Sequence, residues 1–368
     1  MPNRPRATKG RLKIQPLDAL ILFVPISLLL HYSHAASLWV FLTASISIIP
    51  AADAVRRATE QVGFRCGPSA GGLLNVTFGN VPELILALFL LVSRQAPVVQ
   101  AQITGSIIGN SLLGLGLAIL VGGWARDKQT IDRDHAGRLS SLLLLSVIAL
   151  LVPAFFDYTE RGNYTSATME RIELQLSVGV SIVLILTYIL NAVYTFVTHR
   201  SVFPTDDTKH ESWPIWQSIA VLGIATGVTA WESELVSSTL IGAASQLGVT
   251  TFFMGITVLA VIGNAAEYVS ATYFARRDRM GLAFSITAGS SIQMALLVAP
   301  VLVIISACIG KPMTLVFRNP LELVAVAASA FAVSAVVRDG ETTWLEGVLL
   351  IAIYLILGLA FFYMSAPH

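Results

Sequence analysis

Charge is what this chain has least of. Only 12% of its 368 residues are charged, against 55% hydrophobic, and the mean hydropathy is +0.74. A soluble domain carries about 25% charged residues to cover its surface, so a large water-soluble helical protein is excluded. Cysteine is nearly absent: Cys66 and Cys308 stand far apart and form no disulfide framework. Histidine is scarce, and His31, His34, His135, His199, His210 and His368 all fall in loops, at span ends or at the terminus. There is no H-E-x-x-H and no nucleophile–base pairing, which argues against an intramembrane enzyme. The net charge of +1 says nothing about partners, but no basic patch lies among aromatics, which argues against nucleic acid. The first apolar block lacks an A-x-A cleavage site and is read as a retained helix.

What the chain does have is long apolar blocks of the length that crosses a bilayer. Eleven spans are predicted, over 17–33, 36–54, 71–93, 103–124, 139–156, 174–197, 215–240, 253–275, 285–307, 320–337 and 344–364. The fold class is an all-α integral membrane protein embedded in a lipid bilayer. The longest connections are WARDKQTIDRDHAGR, FFDYTERGNYTSATMERIE and THRSVFPTDDTKHESWPI. With the N-terminus inside, 18 of the Lys and Arg residues fall in inner segments and 5 in outer ones. The positive-inside rule then places the C-terminus outside.

The chain also repeats itself. GNVPE at 79–83 and GNAAE at 263–267 lie 184 positions apart, and so do Gly105-Ser106 and Gly289-Ser290. Each copy is a Gly-Asn-x-x-Glu helix followed by a Gly-Ser helix. The copies fall on spans three and four and on spans eight and nine. Five spans separate them, so they enter the membrane from opposite sides, the inverted repeat of secondary transporters. Solenoid repeats have periods of about 20–50 residues and many copies. The expected domains are a basic tail with an extra helix over 1–35, a five-helix repeat over 36–198, a mildly acidic linker over 199–214 and a second five-helix repeat over 215–368.

Glu83 and Glu267 fall near the middles of their spans, where an ionised carboxylate costs about 3 kcal/mol or more. No Lys, Arg or His lies in the central part of any span to neutralise them. A proton or a metal ion remains. Asn80 and Asn264 precede the acids by one turn and share their face. Gly79 and Gly263 weaken the helix there, and Pro82 frees a carbonyl in the first copy. Ser106, Asn110, Ser290 and Gln293 add donors from the partner helices. All are oxygen ligands, which suit Ca²⁺ as the carried ion and not a thiolate- or imidazole-binding metal. No cofactor is expected. Two protons neutralise the acid pair as well as one divalent cation does, which is a physical basis for antiport. The bland alternative for each acid alone is a polar contact between helices; the repeat argues against it for the pair. Asp53, Glu232 and Glu234 are read near the ends of spans two and seven, as solvated ends or as an access path.

At these motifs the sequence resembles the cation/proton exchanger family of the calcium/cation antiporter superfamily, over nearly the whole chain. The likeness rests on GNVPE with GSIIGN and on GNAAE with GSSIQMALLVAP. It implies exchange of Ca²⁺ for H⁺, with Glu83 and Glu267 as the central acids and Asn80 and Asn264 beside them. It further implies that Ser106, Ser290 and Gln293 hold the family's polar positions. Sodium/calcium exchangers resemble this plan but carry a further acid in the helix after the second glutamate, and span nine here has none. The acidic central segment common in the family is reduced to Asp206, Asp207 and Glu211. A sodium-coupled or broader cation antiporter is the alternative, and a cation channel is the rival from another class. A homo-oligomer is left open. The compact length without a targeting extension points to a prokaryotic plasma membrane, with a vacuolar membrane as the alternative.

Overall fold

Away from water, every backbone N–H and C=O must be satisfied within the chain, and a single helix does this segment by segment. The computed structural model describes residues 16–66, 71, 74, 77–198, 213–317 and 319–364, and almost all of them are helical. A 3₁₀ turn over Pro16–Leu22 leads into α1, Phe23–Tyr32. Then come α2, Ser37–Cys66; α3, Val81–Val92; α4, Ala96–Gly123; α5, Arg133–Glu160; α6, Ser166–Thr198; and α7, Ile215–Leu247. The helices α8, Thr251–Gly263, and α9, Ala265–Arg276, meet at a 50° bend. Last are α10, Met280–Cys308; α11, Pro320–Val336; and α12, Trp344–Phe362.

Among the described residues, seven helices are long and apolar enough to cross a membrane. The bent pair α8–α9 makes an eighth, and Leu17–Tyr32, Val81–Val92 and Pro320–Val336 are shorter apolar helices. The chain is a multi-pass membrane protein. Burial separates the centre from the rim: α4 has 83% of its apolar window buried and α12 only 22%. The most extensive helix pair is α2 against α7. Two short strands, β1 (Gln129–Thr130) and β2 (Glu341–Thr342), pair antiparallel and tie the α4–α5 connection to the α11–α12 connection.

Element boundaries recur at the offset found in the sequence. α3 and α9 both have 12 residues and begin at 81 and 265; α4 and α10 begin at 96 and 280. Each long helix then loosens into a π-helical stretch, Gly109–Gly114 in α4 and Met294–Val298 in α10.

Several expectations need correction. α2 continues to Cys66, well beyond residue 54, and α7 to Leu247. Asp53, Glu232 and Glu234 therefore lie inside long helices and not near their ends. Asp53 and Glu232 are buried, while Glu234 is exposed. Hydropathy marks where apolar side chains stop, but a helix continues while its backbone bonds do. For the same reason, the connection after Phe155 is largely helical, up to Glu160 and again from Ser166, and the one after Trp124 is helical from Arg133. Asp206, Asp207 and Glu211 lie outside the described residues.

Candidate cation site

Both GNxxE motifs interrupt a helix at the asparagine. Asn80 (φ −99°, ψ 22°) and Asn264 (φ −95°, ψ 9°) have nearly the same non-helical conformation, and each starts the helix that carries the acid. Their carbonyls accept corresponding first-turn bonds, Leu84 N–H to Asn80 O and Tyr268 N–H to Asn264 O, both 3.1 Å. Pro82 has no N–H to continue the preceding helix. Its counterpart Ala266 does, yet the second copy breaks too. There, Asn264 Nδ2 donates to Ala260 O at 2.7 Å, a side-chain bond that competes with helix continuation.

The breaks meet at a shared polar centre. Asn264 Nδ2 donates to Ser106 Oγ at 3.0 Å, and Ser290 Oγ donates to Asn80 Oδ1 at 3.2 Å. Asn110 Nδ2 donates to Asn264 Oδ1 at 2.7 Å and to Ser290 Oγ at 2.9 Å. Asn80 Nδ2 donates to Gln293 Oε1 at 2.9 Å. Of the residues expected at the site, Asn80, Asn264, Ser106, Ser290, Asn110 and Gln293 thus form one network across both halves. The amide donors of Asn80, Asn110 and Asn264 are spent within it, and Asn110 Oδ1 is left without a partner.

The acids come together with it. A Cβ on Gly263 would lie 3.2 Å from Glu83 Cγ, so the acid of the first motif packs on the glycine of the second. Glu83 and Glu267 are near enough to act electrostatically on each other. Glu83 is 1% exposed and Glu267 8%. Glu83 Oε2, Glu267 Oε2 and Asn110 Oδ1 are buried without a hydrogen-bond partner. Three such acceptors, two of them on carboxyl groups, are costly to leave empty, and hard oxygen donors are what Ca²⁺ coordinates.

Close packing fixes the geometry on one side. A Cβ on Gly105 would stand 2.1 Å from Ile256 O, so only glycine lets α4 approach α8 this closely. Its counterpart Gly289 is half-exposed, with nothing within 4 Å of a Cβ.

The expectation of no cation near the acids needs amendment. Arg56 on α2 lies close enough for its charge to act on Glu267. It is anchored by Asp53 at 2.7 Å and Glu60 at 2.6 Å. Arg57 Nε binds the other oxygen of Asp53 at 2.9 Å, and Arg57 also pairs with Asp18 ahead of α1. Asp53 is the floor of an ionic cluster and not a solvated end.

Other buried polar groups escaped the sequence reading. The hydroxyl of Tyr268 would sit 2.5 Å from a Cβ on Gly109, against the π-helical turn of α4. Its adjacency to Glu267 is the signal that could have found it. Glu322 on α11 accepts from Thr104 Oγ1 at 2.5 Å, both buried. An acid inside an apolar span marked it, but nothing repeated it.

A multi-pass bundle in which two broken helices meet at a buried polar centre has the architecture of a secondary transporter. The chain belongs to the sodium/calcium exchanger protein family, which it matches over residues 36–197 and 217–363. It is 43% identical over 361 residues to a Ca(2+)/H(+) antiporter of Aphanothece halophytica, covering 94% of this chain and 95% of that protein. It is 35% identical over 361 residues to a vacuolar calcium ion transporter of Schizosaccharomyces pombe (strain 972 / ATCC 24843), covering 97% and 87%. The solved structure of native YfkE superposes with a TM-score of 0.82 at 34% identity, covering 95% of this chain and 100% of that one.

Proposed function

We propose that this protein is a Ca²⁺/H⁺ antiporter in which Glu83 and Glu267 bind either one Ca²⁺ or protons at the membrane midplane. The observation that carries this reading is the set of unpartnered buried oxygens on Glu83, Glu267 and Asn110, inside a network that consumes the neighbouring amide donors. Two carboxylates that repel each other must be neutralised before the site can be closed off from water. One divalent cation or two protons will do this, and the two loads exclude each other. Asn80, Asn264, Ser106, Ser290 and Gln293 hold the acids in place and supply neutral ligands, and the breaks at Gly79 and Gly263 expose carbonyls. The protein is a transporter and not an enzyme. Among the described residues no cluster of three His, Cys, Asp or Glu forms, so neutral oxygens complete the coordination.

In this reading all eleven apolar segments cross the membrane, an extra helix followed by two inverted five-helix repeats. The N-terminus is cytoplasmic, which the Lys and Arg distribution supports, and the membrane is the plasma membrane. Alternating access arises as α2 and α7 shift against the ion-holding helices. The tight α4–α8 approach at Gly105 then closes the outer half, and the open flank at Gly289 and Glu267 faces inward.

The test is Ca²⁺ uptake by the protein in liposomes under an imposed proton gradient without sodium. Uptake is expected, and acidifying the Ca²⁺-loading side should weaken Ca²⁺ binding by up to about a hundredfold per pH unit if two protons compete. Uptake that needs a sodium gradient instead would establish sodium coupling.

A further inference from the structure

Glu232 is a buried acid that the exchange site does not use. It sits in the middle of α7, fully buried, between the extra helix α1 and the gate helix α2. Ser27 Oγ of α1 lies 2.8 Å from Glu232 Oε1, and Ser47 of α2 is near enough to act on the same carboxyl. Each serine also lies within bonding distance of a carbonyl on its own helix: Ser27 of Val24 O at 2.8 Å, Ser47 of Ala44 O at 2.7 Å. A serine has one hydroxyl proton and can direct it to only one of its two acceptors. When Glu232 is ionised, both serines can turn to it. When Glu232 is neutral, its own proton goes to a serine oxygen and the serines donate to their helices. This shell serves both states of the acid.

The surroundings are otherwise apolar. A groove of about 510 Å³ runs between α1 and α7, walled by Val24, Leu28, Tyr32, Ile224 and Val228, with Glu232 at its floor. Glu232 Oε2 has no partner. The charged and titratable groups on the packed elements are otherwise engaged or turned away. On α1, His31 is exposed and Tyr32 forms the groove wall. On α2, Asp53 is held by Arg56 and Arg57, and Asp18 ahead of α1 by Arg57. On α3, Glu83 packs on Gly263. On α7 itself, Glu234 is exposed.

We propose that Glu232 is a proton-binding site separate from the exchange site, and that its protonated form clamps the extra helix α1 onto the α2–α7 pair. A neutral carboxyl completes the three-helix contact, whereas a carboxylate, even with both serines turned to it, leaves Oε2 charged and unpartnered in an apolar seam and loosens α1. The clamp acts on exchange through the proposed movement of α2 and α7, but the proton site does not depend on that movement.

The test uses the full chain in lipid vesicles. Infrared spectra across pH follow the carbonyl stretch of neutral carboxylic acids in the wild type and in Glu232→Gln. In parallel, cross-linking of Val24→Cys to Val228→Cys is timed in a background carrying Cys66→Ser and Cys308→Ser. We expect a neutral-acid band that the Glu232→Gln substitution removes and that the wild type loses as pH rises. Cross-linking should slow several-fold over the same pH range, and Glu232→Gln should hold it at the fast rate throughout. Ser27→Ala, which leaves the acid in place, should slow cross-linking at low pH. No Glu232-dependent band at any pH, or cross-linking with the same pH response after Glu232→Gln, overturns the proposal. Ca²⁺ uptake by the same vesicles separates this outcome from failure of the exchange reading.

Discussion

Ser291 Oγ donates to the backbone carbonyl of Ile107 at 3.3 Å, and the two residues are 184 positions apart. That is the offset of the repeat, so a residue touches its own counterpart. The contact joins α4 to α10. The pairs Asn264–Ser106 and Asn80–Ser290 exchange under the same offset. Gln293 and Asn110 do not, since their counterparts are Gly109 and Met294. The site is built symmetrically and completed asymmetrically.

Glu83→Gln and Glu267→Gln each keep the side-chain shape but remove the charge that Ca²⁺ requires. Either should lower proton-driven Ca²⁺ uptake by at least about tenfold, the equivalent of about 1.4 kcal/mol of lost stabilisation. Uptake at the wild-type rate in both variants would place the site elsewhere.

Gly105→Ala pushes a methyl group into Ile256 O, whereas Gly289→Ala meets nothing. Overpacking costs about 1–3 kcal/mol, so the first variant should unfold at a clearly lower temperature in detergent and the second within error of wild type. Equal melting temperatures would contradict the close α4–α8 approach.

Cysteine placed at residue 289 should react with a membrane-impermeant thiol reagent added from the cytoplasmic side, in a background with Cys66 and Cys308 replaced by serine. Labelling from the outer side alone would reverse either the orientation or the conformation, and a tag on the N-terminus distinguishes the two.

Asp53 is buried beneath two arginines, its side chain 2% exposed. Arg57→Met leaves one oxygen of a buried carboxylate unpaired, with Arg56 still on the other, so it should cost about 1–3 kcal/mol, while Asp53→Leu with Arg57→Met should recover much of the loss. Chemical denaturation of the single and double variants measures both.

Asn264→Ala removes the donor to Ser106 Oγ and orphans one N–H of Asn110 Nδ2. Each buried group left unsatisfied costs about 1–3 kcal/mol. Stability and Ca²⁺ affinity should fall together, and isothermal titration should show weaker Ca²⁺ binding than in wild type.

The sequence by itself determined the long apolar helices and the two Gly-Asn-x-x-Glu motifs with their buried acids. Apolar length must match the bilayer, and a carboxylate there is too costly to be incidental, so both leave marks in composition. The 184-residue offset carried more, because it aligned the motifs before any contact was known. Only the tertiary structure decided which polar side chains use up each other's hydrogen bonds and which buried oxygens are left without a partner. It alone brought Arg56 toward Glu267, set Tyr268 against Gly109, and placed Ser27 and Ser47 around Glu232. Those contacts join residues far apart in the chain, and helix packing sets their distances, which no local pattern of residue types encodes.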